Sequence, residues 1–106
     1  MWASDARKLY SEGRFDELLS ASLKKLSSAP RDVAALEFVS VALVQLGRHA
    51  EAESYLWLLV KARPEATEFR IYLGVLLLHL GKLEPALACL EQAAVVDPTE
   101  DRKSVV

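Results

Sequence analysis

The chain has 106 residues, a length that favours one domain with a single core. Hydrophobic residues make up 52% of it and aromatic residues only 8%, which favours packed helices over sheets. Thirteen basic and fifteen acidic residues leave a net charge of −2, and because the basic residues are scattered, nucleic acid is not an expected partner.

The sequence indicates neither a secretion signal nor a membrane-inserted segment. Residues 1–15 mix acids and bases without an apolar stretch. The longest apolar run, residues 71–80, is far shorter than the ~20 residues that cross a bilayer. Cys89 is the only cysteine, so no disulfide is expected within the chain, and a cytoplasmic location is predicted.

Two residue types repeat every 34 positions, glycine at Gly13, Gly47 and Gly81 and proline at Pro30, Pro64 and Pro98. A helical stretch lies between each Gly and its Pro, and another between each Pro and the next Gly. The repeat unit is therefore predicted to be a helix hairpin. We predict units at about residues 1–32, 33–66 and 67–100 of one domain, followed by a tail at residues 101–106.

The first unit matches the repeat least well, because Asp5, Ser22 and Lys25 occupy positions where apolar packing residues are expected. Such a departure is typical of an end cap. In the later units, small residues are predicted where two helix backbones approach closely: Ser40, Ala52, Gly74 and Ala86. Arg70 also occupies an apolar position, and we expect its stem to pack while its guanidinium reaches water or an acid.

The spacing of these residues resembles the tetratricopeptide repeat family over nearly the whole chain. The matching positions are Leu36, Leu43, Gly47, Ala52 and Pro64 in the second unit, and Leu77, Gly81, Ala86, Ala93 and Pro98 in the third. The resemblance implies an all-α, right-handed solenoid of three antiparallel helix hairpins, about six helices. It also implies that the first helix of each hairpin lines a concave face.

That face is the predicted binding surface, and its outward residues are Arg7, Tyr10, Glu37, Val41, Val44, Glu68, Ile71, Val75, Leu78 and His79. The helix around residues 71–78 is apolar on all sides, so something must cover it. We expect an amphipathic helix or apolar peptide of a partner protein. A further helix of the same protein, or packing between units, would also cover it.

Two other surfaces are notable. Trp57 and Leu58 are predicted on the convex side, as a second interface or as packing across the neighbouring hairpin. The flank of the last hairpin, with Leu83, Leu87, Leu90 and Val95, has no evident cap. Self-association, a partner, or a next helix from about Asp101 in a longer chain would each cover it. The end, Ser104 to Val106, also weakly resembles a ligand of strand-adding domains.

No sequence motif for catalysis, phosphate binding or zinc binding is present, so we predict no catalytic residues, metal ligands or cofactors. His49 and His79 are thirty residues apart without ligand-spaced partners, and Cys89 is predicted to be a core hydrophobe. The family's clamp for C-terminal carboxylates is not expected, because Arg7 is the only basic residue at its positions and the chain contains no Asn.

The predicted function is a non-enzymatic protein-binding module that acts as a chaperone or assembly factor. In size and in its apolar face the chain resembles the small three-repeat chaperones of bacterial type III secretion. Two alternatives stay open: a docking or regulatory domain of a larger enzyme such as a glycosyltransferase, and a homo-oligomeric scaffold.

Overall fold

The structure is a computed structural model that describes the backbone of residues 2–96 and the side chains of residues 2–93. It contains six helices and, within those residues, no strand. The helices are α1 (Trp2–Ser11), α2 (Phe15–Ser28), α3 (Val33–Gln45), α4 (His49–Ala62), α5 (Thr67–His79) and α6 (Leu83–Val96). The all-α prediction is confirmed. The predictions for Pro98, Asp101, the tail and Ser104 to Val106 lie outside the described residues.

The predicted glycine series forms the turn inside each hairpin. Gly13, Gly47 and Gly81 have φ angles of +74°, +78° and +77°, the left-handed conformation that side chains disfavour. At the second turn the Gly47 N–H donates to the Val44 carbonyl at 3.0 Å and the Arg48 N–H to the Leu43 carbonyl at 2.8 Å. These bonds satisfy carbonyls that the end of α3 would otherwise leave free.

The hairpins stack in chain order, since each helix packs against the next and α1 also touches α3. The core between them holds fully buried leucines, Leu18, Leu56, Leu59, Leu73 and Leu77. Trp2 meets Phe38 edge-on at 5.7 Å between ring centroids, which joins the first hairpin to the second.

The two buried serines are satisfied within their own helices. The Ser22 hydroxyl donates to the Leu18 carbonyl at 2.7 Å, and the Ser40 hydroxyl donates to the Leu36 carbonyl at 2.8 Å. Ser22 thus occupies an apolar position without an unpaired polar group. Ser40 and Gly74 lie at equivalent positions, and a Cβ added to Gly74 would lie 2.7 Å from Leu90 Cγ, so α5 and α6 approach closely there.

Candidate partner-binding face

The outward residues of α1, α3 and α5 fall into rows because the repeat period is 34. One row is Arg7, Val41 and Val75, the next is Tyr10, Val44 and Leu78, and a third contains Glu37 and Ile71. Successive rows are three or four residues apart, which is one helical turn. We call this surface the first-helix face.

The apolar part of the first-helix face is most open in the third hairpin. Ile71, Val75 and Leu78 are 45%, 42% and 44% exposed. Val41 and Val44 in the second hairpin are half-buried, and Val44 packs against the core. The exposed apolar residues therefore form a stripe along α5, on the side opposite the buried Leu73 and Leu77.

At the N-terminal end of this stripe, residues from all three hairpins influence one another electrostatically. Burial, and then repulsion from the Glu68 carboxylate, raise the pKa of Glu37. Burial raises the pKa of Tyr72, and the charges of Tyr10 and Glu37 raise it further. Tyr10 belongs to α1, Glu37 to α3, and Glu68 and Tyr72 to α5. We call Tyr10, Glu37, Glu68 and Tyr72 the carboxylate–tyrosine cluster.

The tyrosines of the cluster are held in different ways. The Tyr10 ring meets Phe15 edge-on at 5.7 Å, and it is still 42% exposed. Tyr72 is half-buried and packs against the core. Tyr72 was not among the predicted binding residues. Its signal in the sequence was the aromatic pair Phe38 and Tyr72, which are 34 residues apart.

Two predicted residues take other positions. Arg7 is exposed, and among the described residues it forms no ion pair with Glu37 or Glu68. The His79 ring meets the His49 ring of α4, with centroids 5.6 Å apart and planes at 62°. His79 therefore contacts the second hairpin at the C-terminal end of α5.

Trp57 and Leu58, the second predicted interface, make some of their contacts within the chain. The Trp57 indole N–H donates to a Glu53 carboxylate oxygen at 3.0 Å, and the other Glu53 oxygen accepts from Lys82 at 2.8 Å. Lys82 belongs to the third hairpin, so Glu53 links the Trp57 side of α4 to the next unit. Leu58 is about half exposed and lines a cleft of about 350 Å³ with Pro30, Arg31, Leu36, Lys61 and Ala62.

Arg70 and Cys89 occupy the interior side of the third hairpin. The Arg70 guanidinium donates to the Pro64 carbonyl oxygen, a backbone acceptor rather than the predicted water or acid, while its Nε is buried without a partner. Cys89 is buried. Burial raises the pKa of the Cys89 thiol, and the nearby positive charge of Arg70 opposes this shift. The thiol is therefore mainly protonated at neutral pH.

On the flank of the last hairpin, Leu83 and Leu87 are each more than half exposed. Leu90 is half-buried against Gly74, and the predicted Val95 side chain lies outside the described residues. Across the described part of the chain, no three or more His, Cys, Asp or Glu side chains group as metal ligands would. No helix in that part is long and apolar enough to span a membrane.

The sequence matches the family model described as tetratricopeptide repeat over residues 43–104, more than half of the chain. This match confirms the resemblance inferred from the glycine and proline series. Among curated proteins no sequence matches.

Several solved structures share the fold. The first tetratricopeptide domain of Spaghetti (RPAP3), bound to an HSP90 peptide, is 24% identical, with 92% of this chain and 77% of that chain covered and a TM-score of 0.83. The Yersinia enterocolitica type III secretion chaperone SycD, in complex with a peptide of the translocator YopD, is 16% identical, with 98% and 82% covered and a TM-score of 0.84. MamA (MSR-1) is 20% identical, with 92% and 57% covered and a TM-score of 0.82.

Proposed function

Because the chain belongs to the tetratricopeptide repeat family, we propose that it is a non-enzymatic binding module for an amphipathic helix or apolar peptide of a partner protein. The observation that carries this proposal is the stripe of Ile71, Val75 and Leu78, each more than two-fifths exposed along one side of α5. Contiguous exposed apolar side chains are typical of interaction surfaces. The ligand is proposed to lie on the first-helix face, with Tyr10 contacting it from the first hairpin.

A role as chaperone or assembly factor is part of the proposal, because an apolar face of this kind would shield an apolar segment of a partner from water. An apolar segment that is not yet in its final assembly aggregates unless a surface shields it. The peptide complexes of the structural neighbours, SycD with a YopD peptide and RPAP3 with an HSP90 peptide, support peptide binding by this fold. The proposal includes the cytoplasm as location, since the lone Cys89 is buried as a free thiol.

The test is selection of peptides from a random 16-residue display library on the purified chain, followed by affinity measurement. Val75→Gln is the informative variant, because Gln is a neutral, good helix former that removes the exposed apolar side chain. We expect the selected peptides to be apolar on one side and to bind Val75→Gln at least about tenfold more weakly, a loss of about 1.4 kcal/mol.

The matched control is Leu23→Gln, which removes a side chain 40% exposed on α2, away from the first-helix face. It should bind the selected peptides as the wild type does. Circular dichroism should show equal helicity for both variants, because neither residue is buried. If Val75→Gln leaves the affinity for the selected peptides unchanged, the first-helix face is not the binding surface.

A second candidate, a homo-oligomeric scaffold, is favoured by the exposure of Leu83 and Leu87 on α6. Two such flanks could cover each other around a two-fold axis. Light scattering over a range of concentrations would then show a dimer that Leu87→Gln dissociates. A wild-type chain that stays monomeric at high concentration would count against this candidate.

A further inference from the structure

The cleft beside Leu58 lies where the loop between the first two hairpins meets α4. Its volume is about 350 Å³, toward the lower end of the range for ligand pockets, about 300–1,000 Å³. Leu36 is buried at 3% exposure, whereas Leu58 is 48% exposed. The cleft therefore has an apolar wall that a ligand side chain can reach. The full lining is Pro30, Arg31, Leu36, Leu58, Lys61 and Ala62.

Both charged residues of this lining are basic. Arg31 and Lys61 are exposed, and no acidic residue of the described part of the chain lines the cleft with them. Neither takes part in an ion pair among residues 2–93. The ion pairs there use other cations: Arg14, Arg48, Arg63 and Lys82. The cleft therefore presents positive charge next to apolar surface.

Local structure explains only part of this charge. Lys61 lies in the last turn of α4, where a helix end carries about half a negative charge and favours a cation. Arg31 lies in the loop, outside any helix. The neighbouring Asp32 carboxylate accepts the Ala35 N–H at 3.1 Å and caps α3. Two full positive charges exceed the half charge of the helix end, so an anionic group is the expected ligand.

The next junction between hairpins has different chemistry at the same repeat positions. Arg70 takes the place of Leu36, and its guanidinium donates to the carbonyl oxygen of Pro64, the equivalent of Pro30. Leu36 cannot make such a bond, so the space next to Pro30 stays open. Two further replacements remove the basic and apolar character: Arg31 by Glu65, and Leu58 by Gln92. The repeat fold itself therefore does not require the residues that line this cleft.

We propose that this cleft binds a partner segment in which an aspartate or glutamate stands next to a large apolar residue. The carboxylate would lie between Arg31 and Lys61, whose side chains form charge-assisted hydrogen bonds with carboxylates. The apolar side chain would contact Leu58 and cover Leu36. This site goes beyond the proposed function, because none of its lining residues belongs to the first-helix face. A chain with both sites would hold two segments at once.

The experiment is a selection of short random peptides on the Val75→Gln chain, in which the apolar stripe of the first-helix face is weakened, with all variants made in that background. Enriched peptides should combine Asp or Glu with Leu, Met or Phe. Arg31→Gln/Lys61→Gln should bind them about tenfold more weakly, because two partly exposed ion pairs are lost. Leu58→Gln should also weaken binding, through the lost apolar contact. Raising the salt concentration should weaken binding to the parent and have little effect on Arg31→Gln/Lys61→Gln.

The matched control is Lys8→Gln/Lys24→Gln, which removes two positive charges from exposed residues outside the cleft and should bind the selected peptides as the parent does. Circular dichroism should show the same helicity for every variant, because all the substituted residues are exposed. A selection without acidic and apolar enrichment, or equal weakening by the two double variants, would overturn the proposal. A chain that dimerises until Leu58→Gln is introduced would assign the cleft to a second copy and also overturn it. Neither result affects the first-helix face, whose peptides are selected on the wild type.

Discussion

The close approach of α5 and α6 at Gly74 allows a sharp prediction for Gly74→Ala. In a helix interior Ala is favoured over Gly by about 1 kcal/mol. The added Cβ, however, would lie 2.7 Å from Leu90 Cγ and 2.8 Å from Leu90 Cδ2. Because Cγ is the branch point of the side chain, no simple rotation of its tip relieves the overlap.

The net effect follows from comparing these two terms. Overpacking costs about 1–3 kcal/mol, so a mid-range cost of about 2 kcal/mol outweighs the helix-propensity gain by about 1 kcal/mol. The Cβ would also lie 3.4 Å from the Ala86 carbonyl oxygen, which is an ordinary van der Waals contact, so the overlap is confined to the Leu90 side chain. We expect Gly74→Ala to lower the free energy of unfolding by about 1 kcal/mol and the melting temperature by about 4 °C.

The assay is urea and thermal unfolding followed by circular dichroism, with a double-mutant cycle that uses Leu90→Ala. In the Leu90→Ala background the overlap is gone, so Gly74→Ala should stabilise the chain by about 1 kcal/mol. The coupling energy should then be about 2 kcal/mol. If Gly74→Ala stabilises the wild type, or if the two changes are additive, α5 and α6 are not limited by this contact and the reasoning fails.

Three other predictions concern a turn, a carboxylate and the thiol. Gly47→Ala should lower the free energy of unfolding by about 1–2 kcal/mol through backbone strain alone, because its Cβ would meet nothing within 4 Å. Asn tolerates a positive φ better, so Gly47→Asn should lower the free energy of unfolding by less in the same assay. Burial, and secondly repulsion from Glu68, raise the pKa of Glu37, so ionisation of Glu37 destabilises the fold as the pH rises through that raised value. Glu37→Gln should therefore have a higher free energy of unfolding than the wild type at pH 7 and the same free energy of unfolding at low pH. Equal stability of the two proteins at both pH values would contradict the raised pKa. Because Cys89 is buried, it should react with a thiol reagent at least about ten times more slowly in the native chain than in the chain unfolded by guanidinium. Equal reaction rates would mean that α6 opens readily.

Much of the fold was predictable because the repeat places the same local chemistry at the same interval. The glycines at 13, 47 and 81 predicted turns, and all three adopt the left-handed conformation. Asp16 and Glu51 lie in the first turns of α2 and α4, where acids are favoured by the helix dipole. These features depend only on neighbouring residues, so a sequence pattern suffices to find them.

Contacts between hairpins were harder to predict. His49 and His79 seemed unrelated at thirty residues apart, yet their rings are in contact. Arg70 donates to the Pro64 carbonyl, an acceptor whose position depends on how the loop before α5 is packed. Both contacts depend on the path of the loops and the stagger of adjacent hairpins, which no period in the sequence specifies.

The predicted binding residues illustrate the same division. The spacing placed Ile71, Val75 and Leu78 outward on α5, and the structure leaves them exposed. The spacing did not single out Tyr72, which lies half-buried against the core. Amphipathic patterning describes one helix at a time, whereas the burial of Tyr72 depends on how neighbouring helices pack around it.

The two sides of α5 connect stability to binding. Leu73, Leu76 and Leu77 are buried on one side, so the helix is held in place by the core without any ligand. The exposed stripe of Ile71, Val75 and Leu78 is therefore presented on a preorganised backbone, and a ligand need not pay for ordering it. An equivalent stripe on α3 would be less effective, since Val41 and Val44 are already half-buried. Ligand affinity should accordingly depend mainly on the apolar contacts that the third hairpin offers.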